Sequence, residues 1–338
     1  MTPHLAFAMN DPSQVGEARR HVARLAGELA YGDVAAGQLA IIATELGNNL
    51  VRHATGGQLL VGTVGHGDDV AIELLSIDDG PGMQDVERCL SDGYSTSSTP
   101  GSGLGAVRRL SGEFDLYSKP GVGTVILSRV RKGSGPQPLD TTRAAPVFQF
   151  AGVCLAAPGE TVSGDGWTAQ LDAQRCALFV ADGLGHGPDA AEASDAALAI
   201  VDRHGLSDPI ELIERLHAGL RSTRGAAVAL LQVDAAAGSL SFCGAGNVVG
   251  RLISGSADKS MATQHGTAGL QVRRAQPMRY DWPEHAIIVL HSDGIVSRWS
   301  LAEVPGLLRC HPAVIAGWLA RRHTRGRDDV TVVVLRRA

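Results

Sequence analysis

Aromatic rings are scarce in this chain: Phe, Trp and Tyr make up 4% of 338 residues, while Gly alone supplies 42. A chain so composed favours tight turns and close backbone approaches. Basic charge is not in excess either. Lys and Arg number 30 against 35 Asp and Glu, and acidic residues outnumber basic ones on both sides of residue 133. That balance argues against a nucleic-acid partner. The five cysteines are widely spaced and form no C-x-x-C pair, which argues against a disulfide framework and a zinc knuckle. No run approaches 18 uncharged apolar residues, and the opening MTPHLAFAMNDPSQ has neither the basic start nor the apolar core of a leader peptide. The expectation is a soluble cytoplasmic protein with no membrane contact.

What is present divides the chain in two. The length suits two domains better than one core. Residues 133–146, GSGPQPLDTTRAAP, carry no periodicity and read as a connection. The domains are therefore placed at 1–133 and 147–338, with a linker at 134–146. In the first, Asp11 and Pro12 mark a helix start, and Val15, Ala18, Val22, Leu25 and Leu29 recur at helical spacing. A second helix is expected from about Asp33 to His53, with Leu39, Ile42, Leu46 and Leu50 buried. Strand-like runs follow at 58–64 and 69–77, then a short helix near 104–110 and strands at 113–118 and 124–130. These predict helices layered over a mixed sheet. The second domain reads as many strands with helices at about 188–202, 209–221 and 312–323, a sheet sandwich with helices packed outside.

Two sets of residues carry chemistry. In TELGNNLVRHA, Glu45, Asn49 and His53 fall at i, i+4 and i+8 and share one helix face beside the apolar one. The strand at 69–77 runs into DDGPGM, where Asp78 can accept from a ligand amino group and Gly80 and Gly82 permit close backbone approach. GSGLG at 101–105 opens a helix whose amides make a phosphate seat. GVGT places Thr124 within reach of a base. Each glycine motif is weak alone; the ordered set is strong.

That set resembles the GHKL superfamily of histidine-kinase-like ATPases, and DGYSTSSTPGSGLGAVRRLSGEFDLYSKPGVGT is similar to the RsbT type of serine protein kinase, over about residues 8–131. The resemblance implies ATP and Mg²⁺ as cofactors, Glu45 as general base and Asn49 as the Mg²⁺ ligand. It implies that Asp78 binds the adenine amino group in a pocket shaped by Gly80 and Gly82. Gly103 and Gly105 would lie against the phosphates under a lid of roughly residues 91–101.

In the second domain, Asp165, Asp182, Asp293 and Asp328 stand at strand ends or turns, in SGDGW, VADGLGHG, HSDGI and GRDDVT. Hard divalent cations take oxygen ligands, and Gly183 lets its own carbonyl approach one. Two such ions can activate water for attack on a phosphoryl group. An isolated Asp-Gly pair is more often only a turn, but the full set of acids in this order points to a site. The pattern resembles the PPM phosphatase family in its SpoIIE-like branch, most like RsbX, over roughly residues 147–337. By resemblance Asp165, Asp182, Gly183, Asp293 and Asp328 hold two Mn²⁺ or Mg²⁺ ions, with Asp329 a weaker candidate. Where relatives carry a further acidic residue this chain has Thr168, and His186 suits either substrate phosphate or a tight turn.

The fold expected from both resemblances is a two-domain α/β protein: a Bergerat (GHKL) α/β sandwich, then a PPM-type αββα four-layer sandwich. The implied function is a switch enzyme, an ATP-dependent serine/threonine kinase joined to a metal-dependent phosphatase. Its implied partners are STAS-domain proteins, RsbS/RsbR-like or anti-anti-sigma, with a sigma factor or a downstream phosphatase as further candidates. The alternatives are an RsbW-like anti-sigma factor fused to a phosphatase, and a nucleotide-sensing domain that gates the phosphatase.

Overall fold

Asp11 starts the first helix as its sequence demands, closing a capping box with Gln14 while Pro12 occupies the first turn. Around it the computed structural model describes residues 3–65, 67–90, 103–132, 146–255, 257–272 and 274–338. The N-terminal elements are β1 (Leu5–Ala8), α1 (Pro12–Glu28), α2 (Asp33–His53), β2 (Gln58–Val64), β3 (Ala71–Asp78), α3 (Val86–Leu90), α4 (Gly103–Leu110), β4 (Glu113–Lys119) and β5 (Gly123–Arg131). The strands form one sheet in the order β1-β2-β3-β5-β4. The expected mixed sheet is instead antiparallel throughout. β5 returns from β4 as its hairpin partner and takes the place next to β3, antiparallel to both. Apolar residues of α1 and α2 pack on one face, with Leu39, Ile42 and Leu46 wholly buried against Leu59, Ile72 and Leu74.

The C-terminal elements are β6 (Phe148–Leu155), β7 (Asp165–Leu171), β8 (Arg175–Gly183), α5 (Pro188–His204), α6 (Pro209–Gly219), β9 (Ala226–Asp234), β10 (Ser239–Ala245), β11 (Val249–Ser254), β12 (Ala257–Met261), β13 (Gly266–Thr267), β14 (Gln271–Val272), β15 (Met278–Asp281), β16 (Ile287–His291), α7 (Pro312–His323) and β17 (Val330–Arg337). Two five-stranded sheets result, β15-β10-β9-β8-β7 and β12-β11-β16-β17-β6. Their inner faces share a core that includes Trp167, Leu178, Phe242, Leu290 and Val333. Residues of α5 and α6 bury the outer face of the first sheet through Ala197, Val201, Leu212 and Leu216.

The chain forms two units, one of Thr2–Arg143 with Val304–Arg321, the other of Met1, Ala144–Glu303 and Arg322–Ala338. Residues 304–321, including most of α7, thus group with the N-terminal elements, a departure from the division at 134–146. The physical reason is visible on β3 and β5, which are buried along nearly their whole length. Their second face needs a cover, and 304–321 supplies it. A Cβ on Gly317 would stand 3.1 Å from Ile77 and 3.3 Å from Val125, and Trp318 meets Tyr117 edge-on with centroids 5.1 Å apart. Among the described residues no helix is long and apolar enough to cross a membrane.

Candidate functional sites

The nucleotide candidates start on α2. Leu39, Ile42, Leu46 and Leu50 are buried, which leaves Glu45 and Asn49 half-buried on the neighbouring face and His53 exposed in the last turn. Gly103 opens α4 directly against them: a Cβ there would lie 2.9 Å from Glu45 Oε2 and 3.9 Å from Asn49 Oδ1. Gly105, two residues further on, is buried. Asn49 Nδ2 is buried with no hydrogen-bond partner among the described residues. A buried donor left in that state costs about 1–3 kcal/mol, which an acceptor oxygen on a ligand would offset. The lid at 91–101, and Gly101 within it, lie outside the described residues.

Asp78 ends β3 opposite Thr124 on β5. Its Oδ1 accepts the Gly80 N–H at 2.7 Å. Thr124 shares a 2.9 Å hydrogen bond with the Ser118 hydroxyl, which accepts the Met83 N–H at 2.7 Å. Gly82 has φ +65 and sits against the Lys119 carbonyl, a conformation and a clearance that other residues lack. A Cβ on Gly80 would lie 3.0 Å from the His53 carbonyl oxygen. The Asp78 loop therefore meets the C-terminal end of α2, while Gly103 meets its middle. Ser118 carries no signal in the sequence; its role depends on the β4–β5 register.

In the other unit, β7 and β8 pair with Asp165 opposite Asp182. Each keeps one buried oxygen, Oδ2, without a hydrogen-bond partner among the described residues. Burial pushes both acids up. The neighbouring Asp182 adds to the rise at Asp165, and Asp293, Asp328 and Asp329 add to it at Asp182, which reaches about 7. Asp293 is oriented by Asn247, whose Nδ2 donates at 2.7 Å. Asp328 Oδ1 accepts the Asp329 N–H at 3.0 Å. Asp329 is occupied differently: its two oxygens accept the N–H groups of Ala157 and Gly164 at 2.8 and 3.0 Å, tying loops together. Gly183 lies against the Ala190 carbonyl, where no side chain fits. Thr168 donates to Asp202 on α5 at 2.7 Å, and His186 pairs with Glu160 at 2.7 Å while 60% exposed.

Among the described residues no three His, Cys, Asp or Glu side chains already form a metal cage. The donor chemistry nevertheless fits a hard divalent cation: oxygens only, mutually repelling, two of them buried and unbonded. Asp165, Asp182, the Gly183 carbonyl, Asp293 and Asp328 are the groups that would hold it. Asn247 escaped the sequence reading, because a lone Asn after a Gly-rich strand end looks like any turn. The base of the Asp293 loop is also fixed by unanticipated residues. Ser292 Oγ accepts the Thr331 N–H at 3.0 Å, and Trp299 Nε1 donates to His291 Nε2 at 3.1 Å. Burial above all holds His291 down at about 4, so it stays a neutral acceptor near neutral pH.

The fold is that of a histidine kinase-like ATPase domain joined to a PPM-type phosphatase domain. The family descriptions that match agree: histidine kinase-like ATPase domain over residues 8–129, and Stage II sporulation protein E over 172–338. The serine/threonine-protein kinase RsbT of Bacillus subtilis (strain 168) is 35% identical over 109 residues, 32% of this chain and 82% of that protein. The phosphoserine phosphatase RsbX of the same organism is 31% identical over 90 residues, 27% of this chain and 45% of that protein. A solved structure from work on the bacterial stressosome is 26% identical, with TM-score 0.53 over 56% of this chain and 99% of its own. RsbX in complex with magnesium shares the fold at 22% identity, TM-score 0.51, over 58% of this chain and 98% of its own. The chain belongs to the RsbT family through its N-terminal domain and carries an RsbX/SpoIIE-like phosphatase domain fused to it.

Proposed function

We propose that the chain is a cytoplasmic switch enzyme that phosphorylates a serine or threonine on a STAS-domain partner with one unit and removes such a phosphate with the other. The observations that support this reading are the approach of Gly103 to Glu45 and Asn49 in one unit and the pairing of Asp165 opposite Asp182 in the other. Glu45 and Asn49 lie beside the N-terminus of α4, where the helix dipole suits a phosphate. In that unit Glu45 would accept the proton of the attacking hydroxyl, Asp78 would accept from the adenine amino group, and the Asn49 amide oxygen would be a ligand for Mg²⁺. In the other unit Asp165, Asp182, Asp293 and Asp328 would hold Mn²⁺ or Mg²⁺. Such ions supply an activated water and neutralise phosphate charge. Asn247 orients Asp293, and the Ser292–Thr331 pair holds its loop to β17.

The test is a purified STAS-domain protein with one acceptor serine, incubated with labelled ATP and the full chain. Label should accumulate on the serine with Asp182→Asn and fail to form with Asn49→Ala. Equal labelling by wild type, Asp182→Asn and Asn49→Ala would refute the reading.

A further inference from the structure

Val304–Arg321 does more than cover a sheet. At its start His311 is bound into a buried charge network: its N–H donates to Asp115 Oδ2 at 2.6 Å, and its Nε2 lies 3.3 Å from Glu113 Oε1 and 3.3 Å from Arg129 Nη1. At its end the Arg321 guanidinium reaches the nucleotide loop. One nitrogen, Nη2, donates to Asp79 Oδ2 at 2.6 Å and to the Gly56 carbonyl at 2.6 Å. Asp79 follows the adenine candidate Asp78 directly, and its N–H donates to the Thr55 carbonyl at 3.1 Å. Arg321 therefore joins the turn after α2 to the Asp78–Gly82 loop, the two pieces that meet at Gly80. Gly56 is shaped to receive it, since a Cβ there would stand 2.5 Å from the guanidinium nitrogen. The side chain is only 21% exposed, so the pair is shielded and stronger than a surface ion pair.

We infer that Arg321 is a positioning residue of the nucleotide pocket, holding the turn after α2 and the Asp78–Gly82 loop in register. The inference rests on the nucleotide reading above. It makes the ATP-binding unit incomplete without sequence from the far end of the chain.

The experiment uses the full chain and a fluorescent ATP analogue with Mg²⁺. Arg321→Ala should weaken binding about tenfold, the expected cost of losing a charge-assisted hydrogen-bond pair. Arg321→Lys, which keeps the cation but loses the fork, should recover part of the affinity. Asp79→Ala should weaken binding too, and the double variant should add no further loss, because both remove one interaction. Thermal unfolding of each variant separates lost affinity from lost fold. Binding lost in Asp78→Asn but unchanged in Arg321→Ala would overturn the inference alone. Additive losses in the double variant would also overturn it. A wild-type chain that binds no analogue would overturn the nucleotide reading and the inference with it.

Discussion

Two buried carboxylates, one in each unit, are displaced in opposite directions. Burial pushes both Glu73 on β3 and Asp182 on β8 up. Glu73 ends at about 2, because Arg129 donates to it at 2.6 Å and His4 lies 2.9 Å away. Asp182 ends at about 7, because Asp293, Asp328 and Asp329 surround it. The first acid is matched by its own fold and serves structure. The second meets no cation among the described residues, the arrangement on which the metal proposal rests. The fold thus tolerates like charge in one place and neutralises it in the other.

The comparison breaks most visibly if Asp182 is made neutral. Asp182→Asn should lower Mn²⁺-dependent phosphoserine hydrolysis on the order of 1,000-fold, about 4 kcal/mol of barrier. A loss under about tenfold would remove Asp182 from the reaction. Next in size is Arg129→Met, which strands Glu73 in the interior with His4 alone. It should cost about 3 kcal/mol in urea denaturation, the usual result of breaking a buried pair by removing one partner. An unchanged midpoint would mean that the network contributes nothing.

Acid sharpens the same contrast. Glu73 lies at about 2 in the fold against an ordinary 4.5, so its stabilisation is complete above about pH 4.5 and disappears as pH falls toward 2. Glu113 also lies at about 2; its hydrogen bond with His311 is the main cause, burial opposes it, and Arg129 assists. Stability should therefore fall by about 2 kcal/mol between pH 5 and 3 through Glu73. Glu73→Gln should flatten that slope, and an equal slope in both proteins would contradict the assignment. The smallest effect has the opposite sign. Asp182 lies at about 7 against 3.8, so its stabilising protonated form is complete below about pH 4 and lost as pH rises through 7. In EDTA, Asp182→Asn should gain stability on wild type progressively as pH rises from 4 to 8. A destabilised variant at pH 8 would contradict it.

Much of this was legible in the chain because it depends on local spacing. The α2 boundaries at Asp33 and His53 follow from periodicity, and Gly103 and Gly183 from the motifs that hold them. Strands β12 to β15 were not legible: they are short, and ADKSM or QV carries no apolar alternation. Nor was α3, five residues without a buried side chain. The role of Thr168 emerged only with its partner Asp202, 34 residues away. Asp329 resembles Asp328 in sequence, yet its oxygens are engaged by two backbone donors more than 160 residues distant.

The sequence by itself determined which residues face one another along a helix or stand at strand ends, because 3.6-residue and 2-residue periods act over a few neighbours. It determined the two acidic sets and the glycines beside them for the same reason. Only the tertiary structure decided which buried charges are matched. Arg129 meets Glu73 across 56 positions and His311 across 182. Only the fold, likewise, placed Val304–Arg321 over the second face of the N-terminal sheet and Arg321 on Asp79, 242 positions away. Those pairings arise because burying apolar strands on both faces requires a cover. The segment that provides one brings its charged ends wherever the packing leaves them, and no local pattern encodes that.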